Sequence, residues 1–174
     1  MLNLKSFENS DYSEKQLFSK GLECLDLANR EMREVYSALY PTILSDFGLK
    51  ETIEWLDENF LAPKKIKSTL EVDIPSAIAK SVEINLYRII QELFTNIVKH
   101  SGASHVFLKL IGTDKAFSLT VRDNGIGFDI VKTDADDLGY GLSNIQQRVI
   151  DLGGSLSIEN EGKHTNIEIS IPVV

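Results

Sequence analysis

Three short stretches carry residue types that can do chemistry together. The first holds Glu92 and Asn96, four positions apart in ELFTN. On a helix they share a face, with Lys99 and His100 close to it. Such a row beside an apolar stripe can offer oxygens to a hard cation. Mg²⁺ favours a few protein oxygens plus substrate phosphates over an all-protein cage. Taken alone, the row reads better as a solvated helix face. The second is Asp123-Asn124-Gly125-Ile126-Gly127, at the end of a strand-like run. Its glycines let backbone approach a ligand, and its aspartate can accept from an exocyclic amine. Alone, a D-N-G turn is equally a conformational device. The third is Gly139-Tyr140-Gly141-Leu142, opening a helix. Backbone N–H groups at a positive helix end cradle phosphate, and the same glycines could serve only as a hinge. No G-x-G-x-x-G opens the first strand–helix unit and no G-x-x-x-x-G-K-[ST] occurs, which sets aside the Rossmann and P-loop readings.

The elements that must position these residues follow from hydrophobic period. Ser81 to His100 is the strongest helix, burying Leu86, Ile89, Ile90, Leu93 and Ile97, and Gly102 stops it. Before it STLEVDI alternates as a strand, and Pro75 marks the turn. After it come the strands HVFLKLI and AFSLTVRD, parted by GTDK, then an irregular loop from Asn124 to Gly141. A helix, LSNIQQRVIDL, closes at Gly153-Gly154, and the strands SLSIEN and NIEISIPV are joined through GKHT. Strands beside strands with helices between the groups predict an α+β fold, a two-layer sandwich whose mixed sheet is covered on one face by helices. A long helix precedes it. Ser13 and Gln16 form a capping-box pair, and Phe18, Leu22, Leu25, Met32 and Leu39 make the narrow seam of a coiled coil or helical hairpin. Pro41 kinks or ends that helix. Leu49, Ile53, Leu56 and Phe60 lie on one side of a shorter amphipathic segment, and Pro63 with KKIK reads as a connector.

Composition narrows the function classes. Hydrophobic residues are 43% of the 174 and charged residues 25%, enough apolar area for a folded core. Lys plus Arg is 18 against 26 for Asp plus Glu, a net charge of −8 with no basic patch, so nucleic acid is not an expected partner. Cys24 alone makes neither an internal disulfide nor a thiolate metal cage, which suits a reducing cytoplasm. No apolar run approaches the roughly 20 residues that span a bilayer. MLNLKSFENSDYSEK has no signal-peptide core, so no membrane contact is expected of this chain, although a parent protein could be anchored.

Strung together, ELFTNIVKH, DNGIGF, GYGLSNIQQRV and GKHTNIEISIP resemble the N, G1, G2 and terminal boxes of the histidine-kinase-type ATPases. REVYSALYPTILSDFGLKETIEWL resembles the second dimerisation helix of the nitrate-sensor and thermosensor class of sensor histidine kinases. The resemblance implies the histidine-kinase-like ATPase fold in residues 63–174. It makes residues 1–62 the second helix of a dimerisation hairpin with its connecting helix. By the same resemblance Asn96 would hold Mg²⁺ against the triphosphate of ATP, and Glu92 would stand where related ATPases keep a water-activating carboxylate. Lys99 would neutralise phosphate charge and His100 would lie near the ring and ribose. Asp123 would bind the adenine amino group, and Gly125 and Gly127 would make room for the base. Gly139 and Gly141, flanking Tyr140 and followed by Leu142, would wrap the phosphates, and Thr165 would stand behind adenine. The family's terminal box usually reads glycine-threonine. Here His164 precedes the threonine, and would tighten or reshape the adenine wall.

The implied activity is transfer of the ATP γ-phosphate to a histidine, for relay to a response regulator, by a kinase that is a homodimer at full length. The acceptor histidine would ride on a first dimerisation helix. None of His100, His105 and His164 resembles it, so no phosphoacceptor is expected in this chain. The alternatives are an ATPase or protein serine kinase of the same fold, or a nucleotide-binding and dimerisation module without turnover. The loop Phe128–Leu138, rich in aspartate between glycine pairs, is expected to order on nucleotide binding.

Overall fold

The computed structural model describes residues 20, 21, 25, 42–75, 78–127, 140–161 and 164–173. Two compact units divide the chain, Met1–Ser45 and Asp46–Val174. The seam expected from Phe18 to Leu39 falls in the first unit, where Lys20, Gly21 and Leu25 are helical and the rest lies outside the described residues. Helix α1, Thr42–Phe47, follows Pro41 directly in sequence.

The second unit holds the sheet. Helix α2, Leu49–Leu56, starts at Gly48, whose φ of 85° favours glycine. The Gly48 carbonyl accepts from Thr52 Oγ1 at 2.6 Å, closing the first turn. Leu49, Thr52, Ile53 and Leu56 are buried. The chain continues through a π-helical turn, Asp57–Leu61, and a 3₁₀ turn, Ala62–Lys64, into strand β1, Lys67–Asp73. Helix α3, Lys80–Asn96, packs against α2 and buries Leu86, Tyr87, Ile89, Ile90, Leu93 and Phe94. Each such side chain contributes roughly 1.5–3 kcal/mol, so packing rather than helix propensity holds α3. Glu83 of α3 accepts from the Leu49 amide; burial pushes its carboxyl above the usual range, against the opposing pull of Lys80 and of this hydrogen bond. A π-helical turn, Ile97–Ser101, extends α3, and Gly102 at φ 62° ends it.

Strands β2, His105–Gly112, and β3, Ala116–Asp123, follow. Helix α4, Tyr140–Asp151, leads to β4, Ser155–Glu161, and β5, His164–Pro172. Sheet order is β1-β2-β3-β5-β4, with β1 and β2 parallel and the other neighbours antiparallel. Alternation sends Val106, Leu108, Leu110, Leu119, Val121, Ile167 and Ile169 into the core. The opposite face carries Glu71 and Lys109, ion-paired at 3.1 Å, and Arg122, bonded to Asn166 at 2.9 Å. This is the expected mixed sheet with helices on one side. One boundary differs. GKHT reads as a turn, yet His164 and Thr165 already pair with Glu161 and Asn160, so β5 begins two residues before Asn166. Thr165 is β-branched and gains a ladder position, which outweighs the polar look of the segment.

Candidate functional site

The last turns of α3 face the neighbouring ends of β3 and β5 across a cavity of about 30 Å³, on a scale where one water needs about 10–15 Å³. From α3 and its π turn come Leu93, Asn96, Ile97, His100 and Ser101, three or four positions apart and therefore on one face. From β3 come Val121 and Asp123, and from β5 Thr165 and Ile167, each pair two apart and so on one side of its strand. Register sets Asp123 opposite Thr165 and Val121 opposite Ile167. Gly127 completes the lining. The result is an apolar slot with a carboxylate and a hydroxyl side by side at its end.

Both polar groups are deeply placed. Asp123 is 5% exposed, and its Oδ1 accepts from the Gly125 amide at 2.8 Å. Thr165 is 1% exposed, and its Oγ1 has no hydrogen-bond partner among the described residues. A buried hydroxyl left so costs about 1–3 kcal/mol, which an ordered water or a bound group would offset. The chemistry suits an amino-purine edge: the hydroxyl could donate to a ring nitrogen, the carboxylate could accept from an amine, and the apolar walls could take the ring faces.

The D-N-G turn is tighter than a connecting turn requires. A Cβ on Gly125 would run into the carbonyl oxygen of Ser101, a backbone atom that cannot swing away. Ile126 N donates to that same oxygen at 2.8 Å, and Gly127 has φ 79°. Ser101 is itself held, its hydroxyl donating to the Ile97 carbonyl at 2.9 Å and accepting from Ala103 N at 3.0 Å.

At the other end of the row, half-buried Glu92 and Asn96 lie against the first turn of α4. A Cβ on Gly141 would strike Glu92 Oε1 and come within 3.3 Å of Asn96 Nδ2. A carboxylate there faces the positive end of a helix, where phosphate also would be favoured. Leu142, in the same turn, is half-buried; Tyr140 begins α4, with its side chain outside the described residues, as is all of Gly139. The loop Phe128–Leu138 lies outside them too.

The cavity thus brings together Asn96, His100, Asp123, Gly127 and Thr165. Gly125 packs beneath the turn, Glu92 and Gly141 meet beside Asn96, and exposed Lys99 does not line the cavity. His164 does not reshape the wall: it is exposed, and strand alternation turns it away from the face that buries Thr165. Sequence reasoning treated Leu93 and Ile97 as core and passed over Ser101, Val121 and Ile167. Their positions, three or four from Asn96 and two from Asp123 or Thr165, were the available signal. Among the described residues no group of three or more His, Cys, Asp or Glu could hold a metal ion. A cation beside Asn96 would take its remaining ligands from phosphate and water.

Comparison with known proteins agrees with this geometry. The family of histidine kinase-, DNA gyrase B- and HSP90-like ATPases matches residues 81–174. Sensor histidine kinase LiaS of Bacillus subtilis is 38% identical over 148 residues, covering 84% of this chain and 40% of that protein. ComP, a sensor histidine kinase of the same organism, is 37% identical over 147 residues, covering 80% of this chain and 18% of that protein. The chain therefore spans less than half the length of these curated relatives. Among solved structures, the ATP-binding domain of PrrB from Mycobacterium tuberculosis aligns with a TM-score of 0.56 at 22% identity, covering 71% of this chain and 93% of that one. Acinetobacter baumannii histidine kinase AdeS aligns with a TM-score of 0.57 at 17% identity, covering 97% and 87%. At such identities the structures speak for the fold alone. With more than half of its residues inside the family match, the lining of the slot among them, this chain belongs to the histidine kinase-, DNA gyrase B- and HSP90-like ATPases, as an ATP-binding domain of the histidine-kinase type.

Proposed function

We propose that the chain is the ATP-binding, catalytic part of a two-component sensor histidine kinase, which passes the γ-phosphate of ATP to a histidine for relay to a response regulator. The observation that carries this reading is the buried Asp123–Thr165 pair, with its unpartnered hydroxyl, at the end of an apolar slot. In this reading Asp123 accepts from the adenine amine and Thr165 donates to the ring. Gly125 and Gly127 admit the base, and His100 covers it. Lys99 and the α4 turn Tyr140-Gly141-Leu142, with Gly139 before it, attend the phosphates. Asn96 holds Mg²⁺, which when bound would neutralise phosphate charge. Glu92 stands beside that amide, placed to take a proton from an attacking group. Catalysis of this kind is mostly positioning and charge neutralisation.

Residues 63–174 form the ATP-binding domain in this reading, and residues 1–62 the second helix of a dimerisation hairpin of the nitrate-sensor and thermosensor class. The parent kinase is a cytoplasm-facing homodimer, and its acceptor histidine lies outside these residues. Calorimetry tests the core of the proposal. Asn96→Asp should weaken Mg-dependent ATP binding, because a negative charge then stands near the phosphates. Supplied with a dimerisation helix bearing a histidine, the chain should form acid-labile phosphohistidine on that helix and none on its own three histidines. No ATP binding by the parent chain, or label on His100, His105 or His164, would overturn the reading.

A further inference from the structure

We propose that Asn124 is a positioning residue for base recognition: its carboxamide ties the turn after β3 to the α3–β2 connection and thereby aims the Asp123 carboxylate into the slot. This rests on the nucleotide reading above and adds to it a residue that does not line the cavity. Asn124 Oδ1 accepts two backbone amides, Ser104 N and His105 N, each at 2.9 Å. Its Nδ2 donates to Ser104 Oγ at 3.1 Å, and its backbone N donates to the His105 carbonyl at 3.2 Å. Four bonds from one residue thus reach two consecutive residues some twenty positions earlier. The segment they grip is fixed from its other side as well, since Lys67 N of β1 donates to the Ser104 carbonyl at 2.9 Å.

The consequence falls on the residue next door. Asp123 Oδ1 is turned back onto Gly125 N, and Ile126 N is bonded to Ser101 O. The backbone of 123–126 is therefore held to the stretch Ser101–His105 at Asn124 and Ile126, and closed on itself by the Asp123–Gly125 bond. With Oδ1 so engaged, Oδ2 is the oxygen left to meet an amine, and its direction depends on the turn staying closed. Gly125 cannot supply that closure, because its role is to leave room under Ser101 O. Asn124 can. A side chain this short, with an acceptor able to take two amides and a donor for a hydroxyl, matches the three groups presented. The phosphate side of the site, Asn96 against Gly141, is built from other elements, so a slack turn should cost base recognition selectively.

Titration of the purified chain with Mg-ATP and Mg-GTP decides it, with amide hydrogen exchange by NMR as a second reading. Asn124→Ala should lower ATP affinity about tenfold, the loss expected for one or two hydrogen bonds. GTP affinity should barely move, so the ATP preference narrows, and the amides of Ser104 and His105 should exchange faster. Asn124→Asp keeps the oxygen that takes both amides and should retain the preference within about twofold. Unchanged ATP affinity in the alanine variant overturns the proposal. Equal loss of ATP and GTP overturns it too, since that is what general loosening does, as does an aspartate variant no better than alanine. Should the alanine variant not fold, free exchange of the Ser104 and His105 amides in the parent would show that the tie is not made. A parent chain that binds no ATP defeats the nucleotide reading itself, a result distinct from all of these.

Discussion

Thr165→Val should move stability and ligand affinity in opposite directions. The side chain is 1% exposed in a strand between β3 and β4, and valine replaces its hydroxyl with a methyl of similar volume. Backbone pairing with Asp123 and Asn160 is untouched. What changes is a buried oxygen without a partner, whose burial costs about 1–3 kcal/mol. The slot of about 30 Å³ has room for an ordered water that offsets part of this, so the lower end applies, about 1 kcal/mol of gain. For a unit of this size that raises the melting temperature of the ligand-free protein by about 2–5 °C. With ATP bound the hydroxyl has a partner that valine lacks, so affinity should fall about tenfold. Differential scanning calorimetry without nucleotide, paired with titration calorimetry, reads both numbers from one preparation. A variant that melts lower than the parent, or one that binds ATP as tightly, refutes the claim that this hydroxyl awaits a ligand.

Gly125→Ala should destabilise by about 1–3 kcal/mol and abolish ATP binding, because the new Cβ meets a backbone carbonyl that cannot yield; a melting curve within a degree of the parent would contradict it. Gly141→Ala should leave the melting temperature almost unchanged, since only the end of Glu92 must give way and alanine is about 1 kcal/mol better than glycine in a helix. Mg-ATP affinity in that variant should nevertheless drop severalfold as Glu92 moves, and titration showing no drop would separate α4 from the phosphate site. Burial raises the Glu83 carboxyl above its ordinary value of 4.5, so folding favours the protonated form; that contribution is full below the unfolded value and lost as pH rises through the folded one. Glu83→Gln keeps an acceptor for the Leu49 amide and should therefore raise the melting temperature at about pH 7 while changing little at about pH 4, a difference thermal scans at the two pH values would show.

The sequence was most readable where one local rule acts alone. Period 3.6 in Leu86, Ile89, Ile90, Leu93 and Ile97 reports α3, and Gly102 ends its π turn in the left-handed region as glycine allows. Alternation reports β2 and β3. The four-residue spacing of Glu92 and Asn96 is preserved in space, both lying against Gly141. Legibility failed where two distant segments decide one residue's task. Nothing local to Ser101 says that its carbonyl forbids a side chain at Gly125, and nothing local to Asn124 says that its amide will grip Ser104 and His105. Leu93 and Ile97 read as core because they are core; that the same side chains form a wall of the slot depends on how β3 and β5 lie across from them. GKHT reads locally as a turn; that His164 lies on the face opposite Thr165 follows only once β5 is seen to begin at His164, where alternation sets the two neighbours on opposite sides.

The last strand in sequence is not last in the sheet. β5 stands between β3 and β4, and Arg122 of β3 reaches Asn166 of β5 across 44 positions of chain. During synthesis β1, β2 and β3 emerge first, and until β5 follows them β3 presents a bare edge of amides and carbonyls, open to pairing with another nascent chain. The slot cannot close in that interval either, because Thr165 and Ile167 arrive with the same strand that covers the edge. Competence to hold nucleotide and protection from edge-to-edge association are thus acquired in a single event, and a product cut short before His164 would lack both.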